Sequence, residues 1–468
     1  MAKQHHFWLP RLNDRSGPLY LAIADALAAD IETGQLNAGD RLPSQRGLAE
    51  ALKIDFTTVG RAFAEARRRG LIDAAAGRGS FVRGLPPMDM TSGKASIDMT
   101  MNLPPQPASA ALRSRIESGL KTVLSRPDFF SLLTYRDAAG AIADREAGAR
   151  WLMPRLGSLE PGLVLIASGA QVAMLAALSS LATAGDVVLT EVLTYSGLRN
   201  LAAQFGLRLQ GVAMDAEGLL PDALEQACKT YQAKALYCTP SLHNPTTATM
   251  SARRRSDIAA VAKRYGLPIV EDDTYGRLLR DAPPPLAHFA PDITIYIGGL
   301  AKVLTPMLRV AYLVAPDAVL AARLTTALRA TTGMAPPLMV ALATQWIESG
   351  MADDILLALR QEAMARQRIA KTLLQGSRYQ TQPEAHHLWL DLPPEWPRLD
   401  FVMQLQSQGL AIVPSDAFTV TGPSPEAVRL CLGAAADQNV LHQGLAILAD
   451  CLSHRRKVAS PAIVSSVI

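Results

Sequence analysis

One amine and one guanidinium stand seven residues apart in the largely apolar run "IYIGGLAKVLTPMLRVAYLV", Ile295 to Val314. Lys302 and Arg309 are its only charges. A lysine kept from water has its charged form disfavoured, so its pKa falls and the amine can form a Schiff base with an aldehyde. An isolated strand-end lysine is more simply one that reaches for water. Lys302 has company. "IVEDDTYGRL" ends another apolar run with Asp272 and Asp273 and continues to Tyr275, and "TPSLHNPTTATM" carries Asn244. "LIASGAQVAM" sets Ser168, Gly169, Ala170 and Gln171 between a strand-like run and a helix-like one, and "EVLTYSGL" supplies Tyr195.

Those residue types match the needs of one aldehyde cofactor, pyridoxal 5'-phosphate. Its pyridinium nitrogen needs a carboxylate, which Asp272 or Asp273 can give. Its phenolate needs donors, for which Asn244 and Tyr275 are suitable. Its ring needs an aromatic to stack on, and Tyr195 serves. Its phosphate needs a helix start, offered by Ser168 to Gln171, and a fork, offered by Arg309. Each has a dull explanation alone; together, at successive strand ends, they point to one site.

The elements that would hold these residues follow from periodicity. "LVLIAS", "DVVLTE", "LRLQGVAM", "KALYCTP", "LPIVEDD" and "ITIYIGG" are short apolar runs, separated in several places by helical segments such as "PDALEQACKTYQ". That alternation predicts an α/β fold with a mostly parallel, helix-covered sheet, whose ligands bind at the carboxyl ends of the strands. After residue 315 the text turns helical, then gives "HHLWLDLP" and "EAVRLCLG", the signature of a small C-terminal α+β lobe. Residues 85–109, rich in Gly, Pro, Ser and Met, read as a linker, and residues 454–468 as a flexible tail. The cofactor-binding domain is thus placed at 110–453. The run Arg253–Arg255 reads as a solvated helix face, and His386 and His387 as packing residues.

Composition limits the classes. The 468 residues are 49% hydrophobic and 19% charged, with a formal net charge of +4, as in a soluble globular protein. No apolar run reaches the roughly 18–20 residues of a membrane span, and no export signal is expected. Four cysteines without a CxxC pair suggest neither a disulfide framework nor a metal cluster, which fits a reducing cytoplasm.

Residues 1–84 form a separate module. Tyr20, Ile23, Leu27 and Ile31 share a helical stripe, "LPSQRGLAEAL" gives a second helix, and "FTTVGRAFAEARRRG" a third with Asp55 as its N-cap. Two short helices joined by a tight turn are a helix-turn-helix, and "AAAGRGSFVRG" has the chemistry of a hairpin wing. A plain three-helix packing module is the alternative, supported by a net charge of only +3 (12 Lys/Arg against 9 Asp/Glu).

The stretch from Gly17 to Val82 resembles the winged helix-turn-helix of GntR-type regulators, through "G-x-L-x-x-G-x-x-LPS-x-R-x-LA" and the "G-x-G-S-F-V" wing. The resemblance implies that Arg46, Thr57, Thr58 and Arg61 face double-stranded DNA, with Arg78 and Gly79 at the wing. Phe56 departs from it, because relatives often carry Arg just before the Thr pair. The remainder resembles fold-type I aminotransferases. By that likeness Lys302 is the Schiff-base lysine, Asp272 the partner of the ring nitrogen, and Arg429 in "EAVRLCLG" the clamp on a substrate carboxylate. Tyr135 in "LTYRDAAG" is then expected to reach the cofactor phosphate of a second subunit in a homodimer. Gly299, Leu300 and Ala301 replace the usual Ser-x-Ser before the lysine, which removes a phosphate donor worth about 1 kcal/mol.

The two parts together resemble the MocR family of transcriptional regulators. The resemblance implies a regulator in which an amino compound, held by Arg429, displaces Lys302 to give an external aldimine and so alters operator binding. γ-Aminobutyrate, taurine, ectoine-derived diamino acids, D-alanyl compounds and the cofactor itself are the effectors this suggests. The rivals are a working aminotransferase with a vestigial or autoregulatory DNA-binding domain, and a sensor of the cofactor alone.

Overall fold

In the computed structural model the chain divides into two units, Met1–Lys94 and Ala95–Ile468. The structure describes residues 8–10, 18–32, 35–36, 40–69, 71–75, 79–82, 97–107 and 110–453. In the first unit, α1 (Leu19–Glu32) turns Ile23 and Leu27 inward, leaving Tyr20 and Ile31 half-buried at the edge of the same stripe. Helix α2 (Gln45–Leu52) starts where the Ser44 hydroxyl accepts from the Gly47 N–H at 3.0 Å. It ends at Lys53, a non-glycine residue at φ 55°. Asp55 caps α3 (Phe56–Arg68), accepting from the Thr57 N–H at 2.7 Å, and these hydrogen bonds from Thr57 hold its carboxyl below the usual range. Strands β1 (Ile72–Ala75) and β2 (Gly79–Val82) pair antiparallel, with Ile72 opposite Val82. Leu27, Leu48, Val59, Phe63 and Ile72 form one core. This is a winged helix-turn-helix.

The second unit opens with β3 (Ile97–Asp98), then α4 (Ala110–Leu124) and α5 (Ile142–Leu156). Strand and helix next alternate: β4 (Val164–Ala167), α6 (Ala170–Leu181), β5 (Val187–Glu191), α7 (Ser196–Gln204) and β6 (Arg208–Val212). A two-residue hairpin pair, β7 (Met214–Asp215) and β8 (Gly218–Leu219), leads to α8 (Pro221–Thr230) and β9 (Ala233–Cys238). There follow α9 (Ala252–Arg264), β10 (Ile269–Asp272), α10 (Leu286–Phe289), β11 (Thr294–Gly299) and β12 (Ala311–Val314). Seven strands make one sheet in the order β4-β12-β11-β10-β9-β5-β6. Every residue of β4, β5, β10, β11 and β12 is buried, as a sheet covered on both faces requires. Six strands run parallel. Only β12, inserted between β4 and β11, runs antiparallel to its neighbours, so its first residue lies at the edge where the others end.

Three helices then cross to the small lobe: α11 (Ala318–Thr332), α12 (Pro337–Glu348) and the long α13 (Met351–Leu373). The lobe holds β13 (Tyr379–Gln380), β14 (His387–Asp391), α14 (Arg398–Ser407), β15 (Leu410–Ala411), β16 (Val413–Pro414), β17 (Ala427–Cys431) and α15 (Gln438–Ser453). Its antiparallel sheet is ordered β13-β14-β17-β16. No described helix is long and apolar enough to cross a membrane.

Two readings from the sequence need correction. Residues 97–107 are not linker. Ile97 and Asp98 pair with Leu410 and Ala411, Met99 is fully buried, and the segment forms a strap into the large unit. Nor is Arg253–Arg255 a solvated face. Arg253 is exposed, but Arg254 pairs with Asp215 and Glu217, and Arg255 is completely buried. Its guanidinium donates to the carbonyls of Met250 and Pro240, both at 2.9 Å, and so pins the loop that carries Asn244.

Candidate functional site

The strands end on one edge, and there a cavity of about 270 Å³ gathers Lys302, Asp272, Tyr275, Asn244, Tyr195 and Arg429. Lys302 follows β11 and is half-buried; its amine donates to the carbonyl of Asn102. Burial pushes its pKa down to about 8, with Arg429 and Arg309 adding to the fall and Cys431 and Asp272 opposing it. A useful fraction of free amine is therefore present near neutral pH.

The two acidic residues after β10 divide their duties. Asp273 is locked in the core: Arg155 pairs with it at 2.7 Å, the Ser241 hydroxyl donates at 2.6 Å and the Tyr296 hydroxyl at 2.8 Å. Asp272 faces the cavity. It accepts from the Tyr237 hydroxyl at 2.8 Å and from the Thr274 hydroxyl, and among the described residues it forms no ion pair. Burial raises its pKa. The Thr274 backbone N–H also donates to it, at 3.2 Å. A buried carboxylate held only by neutral donors is stabilised by any cationic N–H set beside it.

Asn244 and Tyr275 line the same wall. The Asn244 Oδ1 accepts from the Arg429 Nη1 at 2.7 Å, which leaves its NH₂ group to donate elsewhere. Tyr275 is buried, and burial lifts its phenol far above the ordinary value. Tyr195 presents its ring to the cavity, and its phenol is also raised by burial. Arg429, on β17, stacks over the Phe418 ring at 4.7 Å and donates through Nη2 to the Thr100 carbonyl.

At the anion end, Gly169 has φ 93° and is the N-cap of α6, whose first residues Ala170 and Gln171 line the cavity. Gln171 donates to the Gly197 carbonyl at 3.2 Å. Arg309 lies against Gly169, since a Cβ built there would be 3.3 Å from the guanidinium Nη2. A helix N-terminus beside an exposed arginine suits a phosphate. Ser168 is not part of this wall; its hydroxyl sits 3.4 Å from the Thr332 hydroxyl and from the Met334 carbonyl. Tyr135 is 97% exposed and lies off the cavity. Gly299 offers no hydroxyl, and its space is filled: an added Cβ would be 3.1 Å from the Thr274 hydroxyl and 3.2 Å from the Ala170 Cβ.

The cavity also has walls that the sequence reading left out. Thr100, Met101 and Asn102 of the strap line it, as does Thr274. His387 is buried behind them, 3.1 Å from the Asn102 amide, whereas His386 packs in the core.

In the other unit, Arg46, Thr57 and Arg61 are exposed on α2 and α3, and Thr58 is half-buried. Arg61 lies 4.6 Å from the Tyr20 ring, and the Thr57 hydroxyl is engaged with Asp55. Phe56 is 48% exposed at the start of α3. Gly79 opens β2 opposite Ala75, and Arg78 lies outside the described residues.

Residues 95–448 match the family "Aminotransferase class I and II". The chain belongs to it. Residues 19–82 match "Bacterial regulatory proteins, gntR family", and the two together are the MocR arrangement. Among relatives, the uncharacterized HTH-type transcriptional regulator YdeF of Bacillus subtilis is 29% identical, the match covering 94% of this chain and 96% of that one. The vitamin B6 salvage pathway transcriptional repressor PtsJ of Salmonella typhimurium is 28% identical (90% and 97% covered), and the HTH-type transcriptional regulator TauR of Rhodobacter capsulatus 26% (86% and 90%). The fold of LysN, the α-aminoadipate aminotransferase of Thermus thermophilus, superposes with a TM-score of 0.69 at 24% identity, over 77% of this chain and 92% of that one. Pyridoxal phosphate is the cofactor of the aminotransferase family, and the cavity fits it: a lysine whose pKa burial lowers to about 8, a buried carboxylate lacking a cation, and an arginine at a helix start.

Proposed function

We propose that this protein is a DNA-binding transcriptional regulator whose aminotransferase-like domain senses a small amino compound through pyridoxal phosphate. The observation that carries the reading is the convergence of Lys302, Asp272 and Arg429 on one cavity, in a chain that also bears a winged helix-turn-helix. When bound, the cofactor supplies an aldehyde that condenses reversibly with primary amines. Lys302 would hold it, and the free amine at about pH 8 allows exchange. Asp272 would keep a proton on the ring nitrogen. Asn244 and Tyr275 would donate to the ring oxygen, Tyr195 would cover the ring face, and Ala170, Gln171 and Arg309 would hold the phosphate.

Arg429 would take the carboxylate or other acidic group of the ligand. Its Nη2 now meets the Thr100 carbonyl and its Nη1 the Asn244 side chain, so a ligand anion arriving there would reorganise both strap and loop. Only states with differential contacts can shift a conformational equilibrium, and this rearrangement supplies such a difference. Exposed Tyr135, with Phe130 and Leu133 at 78% and 68% exposure, supports a homodimer in which that face meets a second copy. Arg46, Thr57, Thr58 and Arg61, with Arg78 and Gly79 at the wing, would read double-stranded DNA in the cytoplasm.

The test combines visible absorption with gel retardation. Protein incubated with pyridoxal phosphate should gain a visible band that Lys302→Ala abolishes, and γ-aminobutyrate, taurine or another amine of a panel should change both band and operator affinity. A band that persists in Lys302→Ala would remove the lysine from its role. The second reading, a working aminotransferase, is favoured by Lys302 itself, because an amine with a pKa of about 8 can also shuttle protons. Sustained turnover of amino donors with 2-oxo acids would establish it. Operator binding that responds to pyridoxal phosphate alone would favour cofactor sensing.

A further inference from the structure

The strap residue Asn102 is 5% exposed and sits between two rings. Its Nδ2 lies 2.9 Å from the Tyr275 hydroxyl and 3.1 Å from the His387 Nδ1. On its far side, His387 places Nε2 3.3 Å from the backbone carbonyl of His243. A carbonyl can only accept, so Nε2 carries the ring proton. His387 is fully buried, and burial holds its pKa well below the usual imidazole range, so the ring is neutral and Nδ1 is an acceptor. An acceptor at Nδ1 fixes the Asn102 amide with its NH₂ group toward both partners. One hydrogen goes to His387 and the other to the oxygen of Tyr275.

The consequence falls on Tyr275. A phenol oxygen that already receives an N–H directs its own hydrogen elsewhere, and among the described residues the Tyr275 hydroxyl has no acceptor. The reverse amide orientation would set the Asn102 Oδ1 against the lone pair of His387 and would draw the tyrosine hydrogen away from the cavity. In the observed orientation Oδ1 is left without a partner among the described residues. An unpartnered buried carbonyl is unfavourable, so the arrangement sacrifices one group to keep the direction of the relay.

We propose that Asn102 is a positioning residue of this site: with His387 behind it, its amide holds Tyr275 as a hydrogen-bond donor into the cavity, toward the cofactor's ring oxygen. This rests on the reading that the cavity holds pyridoxal phosphate. It also gives the strap a chemical duty. Displacing the strap would free Tyr275 to turn, and the cofactor's electronic state would report the strap's position.

The experiment uses the full-length protein with pyridoxal phosphate and follows the visible band against pH. A donor to the ring oxygen stabilises negative charge there and favours the deprotonated chromophore, so losing the donor raises the titration midpoint. Tyr275→Phe should raise it by about one unit, a tenfold gain in proton affinity. Asn102→Leu should raise it by a similar amount, and the double variant by no more than Tyr275→Phe alone. The isosteric Asn102→Asp should raise it at least as far as Asn102→Leu, because a carboxylate takes the tyrosine hydrogen for itself. The groups that act on Tyr275, namely Arg429, Asp272, Tyr195 and Cys431, are unchanged in every variant. A midpoint unmoved in both Asn102 variants, or shifts that add in the double variant, would overturn the proposal. Failure of the underlying reading looks different: wild-type protein would then gain no visible band.

Discussion

Replacing Asp272 and Asp273 by asparagine, one at a time, separates a site residue from a structural one that is identical in type and adjacent in sequence. Asp273 has a fully buried side chain and Arg155 one that is 5% exposed, and they pair at 2.7 Å. Asp273→Asn keeps the volume but leaves the Arg155 charge buried without its counterion and turns an amide toward donors from Ser241 and Tyr296. Breaking a buried pair from one side destabilises by about 3–5 kcal/mol. Asp272→Asn loses no ion pair. It weakens hydrogen bonds from two neutral hydroxyls and the Thr274 backbone N–H, worth about 1 kcal/mol each at most, and removes a charge whose burial is itself unfavourable. Its net effect on stability should therefore stay within about 1–2 kcal/mol. The sign with pH follows from the raised pKa of Asp272: the folded wild type binds the proton more tightly, so its stability declines as pH climbs above the unfolded carboxyl's value of about 4, and Asp272→Asn escapes that decline. Urea unfolding followed by far-UV circular dichroism reads the stabilities, and visible absorption with pyridoxal phosphate reads the site. Asp272→Asn should stay stable and lose cofactor affinity, while Asp273→Asn should lose stability first. An Asp272→Asn protein as unstable as Asp273→Asn would refute the division of roles.

Three further outcomes follow. The rate of pyridoxal phosphate uptake should climb with pH and level off above about 8, where Lys302 becomes a free amine; stopped-flow absorbance measures it, and a flat profile from pH 6 to 9 would contradict the assignment. His386 is buried with both ring nitrogens lacking partners among the described residues, and burial lowers its pKa to about 3. His386→Leu should thus stabilise the domain by about 1–3 kcal/mol, with a gain that grows as pH falls below 6.5, where the unfolded histidine takes up its proton; thermal unfolding at pH 8 and pH 5.5 tests both parts. In the first unit, Asp55→Ala should lower thermal stability through the lost N-cap, whereas Arg61→Ala should disturb stability less and lower the salt slope of DNA binding by about one.

How much of this was legible depended on where a residue's partners lie in the chain. Lys302, Asp272, Tyr275, Asn244 and Tyr195 each stand just beyond an apolar run, so the β–α rhythm alone carries them to the same edge of the sheet. The winged helix-turn-helix was legible for a similar reason, because its caps and stripes are local. The antiparallel course of β12 was not, since a short buried run looks alike in either direction. Arg255 was misread because a charged triplet says nothing about which member turns inward; only the carbonyls of Pro240 and Met250 decide that.

The strap shows the limit most clearly. "IDMTMNLPPQP" lacks periodicity, and local propensity classes it with linkers. Its order comes from groups more than 170 residues away in sequence: Tyr275, His387, Leu410 and Arg429. Such a segment is ordered by the completed domain and contributes little until that domain exists. That ties it to the cavity, because the groups that order it, Arg429 and Tyr275 among them, are cavity-lining residues. Arg429 and Tyr275 bond to Thr100 and Asn102 of this segment, whose first described residue, Ile97, lies two residues into the large unit that begins at Ala95. Sequence reasoning found the chemical groups because they are fixed by local rhythm. It missed the element between them because that element's structure is imposed from a distance.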